Sequence, residues 1–195
     1  MEEQRERLEA AIGLFESVSA TYALTGGHAV SLYSRPRVTV DVDFLVAKKD
    51  LPRVRKAFEK TGHRLVKAGD TYKVLREGEN PDEAEAVVEL LPADLHPVWK
   101  GALESAIETQ YTGLRVRAVS RAGLVALKFA SASSTARPRE DRLVDLADLL
   151  RLLRAGLSPA EDRAARALAR TAYPGAAKDF DKLVDDLRHD RPITL

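Results

Sequence analysis

Two aspartates spaced two residues apart give the strongest chemical signal in the sequence. Asp41 and Asp43 lie in the alternating segment RVTVDVDFLV, residues 37–46. Because side chains on a strand alternate between its faces, both carboxylates are expected on one face, about 7 Å apart. Carboxylates at this spacing bind hard divalent cations such as Mg²⁺ or Mn²⁺, and they repel each other when no cation is present. The pair therefore predicts a metal site on a strand.

Gly26 and Gly27 form a second signal, because they stand between a predicted strand over residues 21–25 and a short predicted helix. Without side chains, these residues let a phosphate approach backbone amides, and the N-terminus of the helix adds favourable partial charge. His28 follows at once; it is expected to cap or pack the helix, with contact to a nucleotide as the alternative. Together, these glycines and the acidic strand predict a metal–nucleotide site.

A third carboxylate would complete a two-metal site for attack by a hydroxyl on the α-phosphate of a nucleoside triphosphate. Glu89 is the candidate, since it is an acid within the apolar segment VVELL, residues 87–91. A charge at the edge of the sheet is the alternative interpretation of Glu89. Glu85 and Asp94 are the other acids that would fit the role.

Two basic residues are candidates for binding phosphate. Arg37 precedes Asp41 by four residues and is expected either to bind phosphate or to anchor the acidic strand. Lys128 is the single charge in the apolar run LVALKFA, residues 124–130. Its ammonium either neutralises a triphosphate or extends from a partly buried helix to water.

The composition excludes several classes of protein. The 195 residues are 45% hydrophobic and 31% charged, which provides a core and excludes wholesale disorder. Cysteine is absent, so disulfide scaffolds and thiol catalysis are excluded. No apolar run reaches the roughly 20 residues that cross a bilayer, and the first residues lack a signal peptide's apolar segment, so we expect a cytoplasmic protein with no membrane partner.

The charge balance limits how the chain could hold RNA. Lys and Arg number 31 and Asp and Glu number 30, which gives a net charge of +1. A nucleic acid would therefore need a local basic patch rather than a global field. Two sets of basic residues are candidates, with a solvated helix face as the alternative for each: Lys48, Lys49, Arg53, Arg55 and Lys56, and Arg151, Arg154, Arg163, Arg166 and Arg170.

Hydrophobic periodicity predicts a mixed α/β core over residues 1–119 and a helical region over 120–195 that packs on it. Strands are predicted over 21–25, 38–46, 63–67, 71–76, 84–91 and 114–119. Helices are predicted around 8–15, 28–33, 51–60, 121–131, 143–153, from 159 and around 180–187, with 103–109 as the end of another. Ser120 is expected to cap the helix that carries Lys128.

The order of these motifs resembles the nucleotidyltransferase superfamily of the DNA polymerase β type, and more narrowly the branch of AbiEii-like toxins of type IV toxin–antitoxin systems. Gly26 and Gly27 match the first motif of that family, and Asp41 and Asp43 match its acidic pair. The lysine-bearing segment 124–130 and the segment REDRLVDL, residues 139–146, resemble its later motifs. Gly27 stands where many members carry serine, and Glu89 is longer than the usual aspartate.

The resemblance implies a small mixed sheet flanked by helices, followed by a helical C-terminal part. It implies transfer of a nucleotide from a nucleoside triphosphate to an acceptor hydroxyl with Mg²⁺ or Mn²⁺, with transfer RNA as acceptor and an antitoxin protein as partner. Asp145 would otherwise be expected on a solvated helix face. The implied roles are catalysis by Asp41, Asp43, Lys128 and Asp145, nucleotide binding by Gly26, Gly27, Arg37 and Lys128, and metal binding by Asp41, Asp43 and Glu89.

Two other functions compete with this one. The first is a binding or regulatory module, antitoxin-like, that keeps the nucleotidyltransferase fold without turnover. The second is a glycosyltransferase, which also uses Asp-x-Asp to hold a metal and a diphosphate. The short chain and the close approach of the two glycines to the acidic strand favour the nucleotidyltransferase.

Overall fold

The computed structural model of the chain describes residues 2–36, 39–80 and 88–193. The helices are α1 Glu2–Ser17, α2 Gly26–Tyr33, α3 Leu51–Glu59, α4 Pro97–Glu104, α5 Arg121–Ser133, α6 Arg139–Arg154, α7 Pro159–Ala169 and α8 Ala176–Arg188. The strands are β1 Tyr22–Leu24, β2 Asp43–Val46, β3 His63–Ala68, β4 Thr71–Arg76, β5 Val88–Pro92, β6 Ile107–Tyr111 and β7 Leu114–Ala118. These elements confirm the predicted mixed α/β fold.

The described strands form one sheet in the order β3-β4-β5-β2-β1-β7-β6. The β1–β7 and β2–β5 pairs are parallel, and the other pairs are antiparallel. The sheet therefore has the acidic strand β2 at its centre, between β1 and β5. This arrangement brings residues that are far apart in sequence to neighbouring strands.

Alternating side chains of β2 face two separate cores. Phe44 and Val46 lie in a core with α1 and α3, where Phe15 packs against Phe44 with ring centroids 4.8 Å apart. Leu45 lies in the other core, which it shares with residues of α2, α4, α5, α6, α7 and α8. Since side chains alternate along a strand, Asp43 belongs to the same face as Leu45. The helical half of the chain thus covers the face that carries Asp43.

α5 is the central helix of this layer. It begins as predicted at Ser120, whose Oγ accepts a hydrogen bond from the backbone amide of Gly123, 3.2 Å away. Most of its residues are buried, because it packs against α4, α6 and α7. α7 also begins at a serine cap, Ser158, which forms a capping box with Glu161. No helix within the described ranges has both the length and the apolar character that crossing a membrane requires.

The predicted strand over 38–46 is too long. β2 begins at Asp43, and Val40, expected in the core, is 45% exposed. The cause lies in the neighbouring strand: β1 ends at Leu24, and the chain then turns into α2 at Gly26. Residues that precede Asp43 consequently have no partner on the β1 side.

The prediction of a helix end over 103–109 is wrong beyond Glu104. Residues 107–111 form the edge strand β6, which pairs with β7 in a hairpin. Ile107, Thr109 and Tyr111 are β-branched or aromatic residues, which favour a strand. Thr112 and Gly113 both have positive φ, 49° and 81°, as the tight turn of such a hairpin requires.

Candidate active site

The glycine turn and the acidic strand meet at Gly26 and Asp43. Gly26 has φ of +61°, and a Cβ atom on it would lie 1.7 Å from Oδ2 of Asp43. The backbone amide of Thr25 donates to the carbonyl oxygen of Asp43 over 2.9 Å, which fixes the approach of the two segments. Only glycine leaves room at this point for the carboxylate of Asp43.

Glu89 stands directly beside Asp43 on the neighbouring strand. The parallel pairing of β2 and β5 places these two residues opposite each other. Because β5 lies between β4 and β2, the interpretation of Glu89 as a charge at the sheet edge is wrong. Its Oε1 accepts a hydrogen bond from the hydroxyl of Thr71. Glu89 and Asp43 are both half-buried.

Asp41 lies outside the strand on which it was predicted. It is exposed and precedes β2 by two residues, so strand geometry does not place it on one face with Asp43. Its charge nevertheless acts on Asp43. Burial, together with the negative charges of Glu89 and Asp41, raises the pKa of Asp43 to about 7, although Lys128 opposes the rise. Asp43 therefore lies where negative charge converges and where a cation would be stabilised.

Lys128 is held by two carboxylates of α6. Its Nζ donates to Oδ1 of Asp145 over 2.7 Å and lies 2.9 Å from Oδ2 of Asp148. All three side chains are buried, so the expectations of a lysine extending to water and of Asp145 on a solvated face are both wrong. Arg137 approaches Asp145 at 3.2 Å, and Arg151 donates to Asp148 over 2.9 Å. The α5–α6 contact is therefore built around a paired charge cluster.

Sequence analysis did not single out Asp148. It is fully buried although it is charged, because Lys128 and Arg151 satisfy its two oxygens. The spacing in the sequence could have identified it. One face of the helix repeats at intervals of three and four residues, and this face carries Asp145, Asp148, Leu149 and Leu152. They form the buried stripe of α6, and that pattern assigns both aspartates to the inner side.

The other described residues that the sequence proposed for the site are not seen in contact with Asp43, Glu89 or Lys128. His28 is buried, and its Nδ1 lies 3.0 Å from the hydroxyl of Tyr111, which agrees with a packing role. Asp94 accepts from the backbone amide of Lys48 beyond the C-terminal end of β5, whereas Asp43 begins β2 at the other end of the parallel pair. Asp94 is therefore remote from the site. Arg37 and Glu85 lie outside the described residues.

The carboxylates do not form a closed metal cluster. Over residues 2–36, 39–80 and 88–193, no group of three or more His, Asp or Glu side chains is placed to hold a metal ion. The two acids paired across β2 and β5, with Asp41 beside them, still provide the oxygen ligands that Mg²⁺ prefers. Burial and the neighbouring negative charges raise the pKa of Asp43, and a divalent cation bound there would offset those charges.

Comparison with solved structures defines the class of the fold. The antibiotic-resistance factor ANT(2'')-Ia, in its solution structure, is 15% identical with a TM-score of 0.56, and the match covers 95% of each chain. An antigenic nucleotidyltransferase-like protein from Paracoccidioides brasiliensis is 18% identical with a TM-score of 0.52, over 93% of this chain and 91% of that one. The lincosamide antibiotic adenylyltransferase LnuA, with lincomycin bound, is 17% identical with a TM-score of 0.50, over 74% and 94%. The fold is that of nucleotidyltransferases.

The sequence profile of the family described as "Nucleotidyl transferase AbiEii toxin, Type IV TA system" matches residues 14–191. The chain belongs to this family, and it is an enzyme of the nucleotidyltransferase class. A comparison with curated protein sequences gives no significant match.

Proposed function

We propose that this enzyme transfers a nucleotide from a nucleoside triphosphate to an acceptor hydroxyl and that it depends on Mg²⁺ or Mn²⁺. The observation that carries the proposal is the contact between Gly26 and the carboxylate of Asp43. It joins a turn at the start of a helix, suited to phosphate, with a carboxylate suited to a cation. Glu89 and Asp41 add negative charge around Asp43, and Lys128 adds a positive charge.

The carboxylates of Asp41, Asp43 and Glu89 would hold the cation. When bound, it supplies positive charge that stabilises the attacking and leaving oxygens at the α-phosphate. Backbone amides at Gly26 and Gly27, at the start of α2, bind phosphate oxygens of the triphosphate.

Lys128 contributes a positive charge near the acids. Its ammonium lowers the pKa of Asp43, so its charge is felt at the site and would attract the oxygens of a bound triphosphate. Asp145 and Asp148 hold that ammonium in place at 2.7 and 2.9 Å. We therefore assign Asp145 a positioning role through Lys128, in place of direct contact with the substrate.

We propose RNA, with transfer RNA as the first candidate, as the acceptor, and toxin activity controlled by an antitoxin protein as the biological role. The family description, which names a toxin of a type IV system, supports the role. Of the two basic sets, the one around α3 is the better phosphate-binding surface. In the other set, Arg151 is paired with Asp148, and Arg166 with Asp162 and Asp181, whereas in the set around α3 one residue, Arg53, is paired with a described carboxylate, that of Asp50.

The test is label transfer from each radiolabelled nucleoside triphosphate to total transfer RNA, with Mg²⁺ and with chelator. Asp43→Asn and Asp41→Asn are each expected to lower the rate on the order of 100-fold or more, because each removes an oxygen ligand of the cation. Asp70→Asn, an exposed aspartate of the β3–β4 turn, is the control and should transfer label at the wild-type rate.

Undiminished transfer by both site variants would contradict the proposed site. Label transfer that is equally fast with Mg²⁺ and with chelator would contradict the proposed dependence on a divalent cation. A protein that binds triphosphate and transfers no label to RNA, or to the aminoglycoside tobramycin as a small hydroxyl acceptor, would instead be the regulatory module.

A further inference from the structure

The outer side of α6 carries an apolar stripe that the rest of the described chain leaves largely open. Leu143 is 56% exposed and Val144 is 48% exposed. Ala147 and Leu150 continue the stripe and are half-buried. At 100° per residue, Leu143, Ala147 and Leu150 lie within about 60° of one another and point away from the buried side that carries Asp145 and Asp148, and Val144 lies at the border of the stripe.

Opposite charges stand at the two ends of this stripe. Glu140 lies seven residues before Ala147, and Arg154 lies seven residues after it. Both side chains are exposed, and neither forms an ion pair with another described residue. The spacing of Glu140, Leu143, Ala147, Leu150 and Arg154 follows intervals of three and four, which is the repeat of helices that pack side by side.

We infer that α6 is a self-association surface, on which α6 of a second copy packs antiparallel about a two-fold axis at Ala147. Residues equally far from the axis then face each other. Glu140 meets Arg154 of the partner subunit, Val144 meets Leu150 of the partner subunit, and symmetry makes each contact twice. The inference goes beyond the proposed function, since it concerns the side of α6 turned away from Lys128.

The charges of α6 select a second copy in this orientation. An antiparallel partner neutralises both ends of the stripe, whereas a parallel one would set Glu140 against the same glutamate and Arg154 against the same arginine. The small side chain of Ala147 at the crossing point lets the helix axes approach to about 8 Å, the near end of the usual packing range.

The size of the surface predicts a weak dimer. α6 has 16 residues and is therefore about 24 Å long. A single helix pair of this length buries less than the roughly 800 Å² per partner of a standard stable interface. The association should therefore depend on protein concentration, with monomer at low micromolar and dimer at high micromolar levels.

Sedimentation velocity over that range tests the inference on the full chain. The wild type should shift from monomer to dimer as concentration rises. Glu140→Arg and Arg154→Glu should each weaken the dimer about tenfold or more, because one substitution disrupts two symmetric contacts. The double variant E140R/R154E should recover wild-type association. Asp141→Arg, the same change at the neighbouring exposed position off the stripe, should leave association unchanged.

Leu143→Glu is expected to give monomer at every concentration, and circular dichroism would show that each variant is folded. A wild type that stays monomeric throughout would overturn the inference. So would a dimer that survives Leu143→Glu and both charge reversals. Failure of the double variant to recover association would overturn the antiparallel arrangement.

Discussion

At the scale of single residues, Gly26 is fixed by two independent constraints. Its φ of +61° belongs to the left-handed region, and its missing side chain makes room for the carboxylate of Asp43. The sequence predicted that the glycine turn and the acidic pair form one metal–nucleotide site. The direct contact of Gly26 with Asp43 could not be predicted, because it depends on β1 and β2 pairing antiparallel, so that the end of one meets the start of the other.

Comparison of Gly26→Ala with Gly69→Ala distinguishes the effect of positive φ from the effect of the close contact with Asp43. Gly69 has nearly the same φ, +58°, but a Cβ atom there meets nothing within 4 Å. Both variants should lose about 1 to 2 kcal/mol of stability from backbone strain. Only Gly26→Ala should also displace Asp43 and lower label transfer on the order of 100-fold. Thermal unfolding and the transfer assay measure the two effects, and equal transfer rates in the two variants would contradict the role of this contact.

At the scale of secondary-structure elements, the α5–α6 pair depends on a lysine buried between helices. Sequence periodicity predicted both helices, and Ser120 predicted where α5 begins. It did not predict that Lys128 would meet Asp145 and Asp148, since the two helices are joined by a turn whose geometry fixes which faces meet. A lysine in an apolar run can extend to water or pair with carboxylates inside the protein, and the packing of the helices decides between the two.

Lys128→Met tests how much this cluster contributes. Removing the ammonium leaves two buried carboxylates that Arg137 and Arg151 balance in part, which should destabilise the fold by about 3 kcal/mol. Chemical denaturation measures the change, with exposed Lys100→Met on α4 as the control, expected to change stability by less than about 0.5 kcal/mol. Adding Asp145→Asn and Asp148→Asn to Lys128→Met should recover part of the loss. No recovery would show that packing of the lysine chain, and not charge, holds the helices together.

At the scale of the whole molecule, sequence pattern was more reliable for core positions within strands than for the ends of strands. The alternation along β2 correctly placed Phe44 and Val46 in one core, but it did not predict that Leu45, on the face of the carboxylates, lies in a second core. The predicted start of β2 was wrong because it depends on where β1 stops. The edge strand β6 was missed because a short segment after a helix carries little periodicity of its own. The boundary between residues 119 and 120 as a domain division stays a prediction.

The free energy of unfolding should depend on pH because the pKa of Asp43 is raised in the folded chain. Its pKa is about 7 in the folded chain and near 3.8 in the unfolded chain, so the folded state binds the extra proton between these values. The resulting stabilisation is complete below pH 3.8 and is lost as pH rises through 7. Asp43→Asn removes this dependence, and in chelator at pH 8 it should be more stable than wild type by roughly 2 to 4 kcal/mol.

Denaturant unfolding of both proteins at several pH values measures that difference. It should shrink as pH falls towards 4, because Asp43 is then protonated in the folded state and most of the stabilisation from its extra proton is present. Mg²⁺ at pH 8 should stabilise the wild type and leave Asp43→Asn unchanged, because only the wild type keeps the carboxylate. A difference between the two proteins that stays constant with pH would rule out Asp43 as the titrating group.

Lys128 lies on α5 and its partners Asp145 and Asp148 lie on α6, so the charge cluster cannot form until α6 has been translated. A nascent chain that has emerged from the ribosome only as far as Ser133 contains Gly26, Asp43 and Lys128, yet it lacks both carboxylates that hold the ammonium. Stalled or prematurely terminated translation products that end there are thus incomplete catalysts under the proposed function.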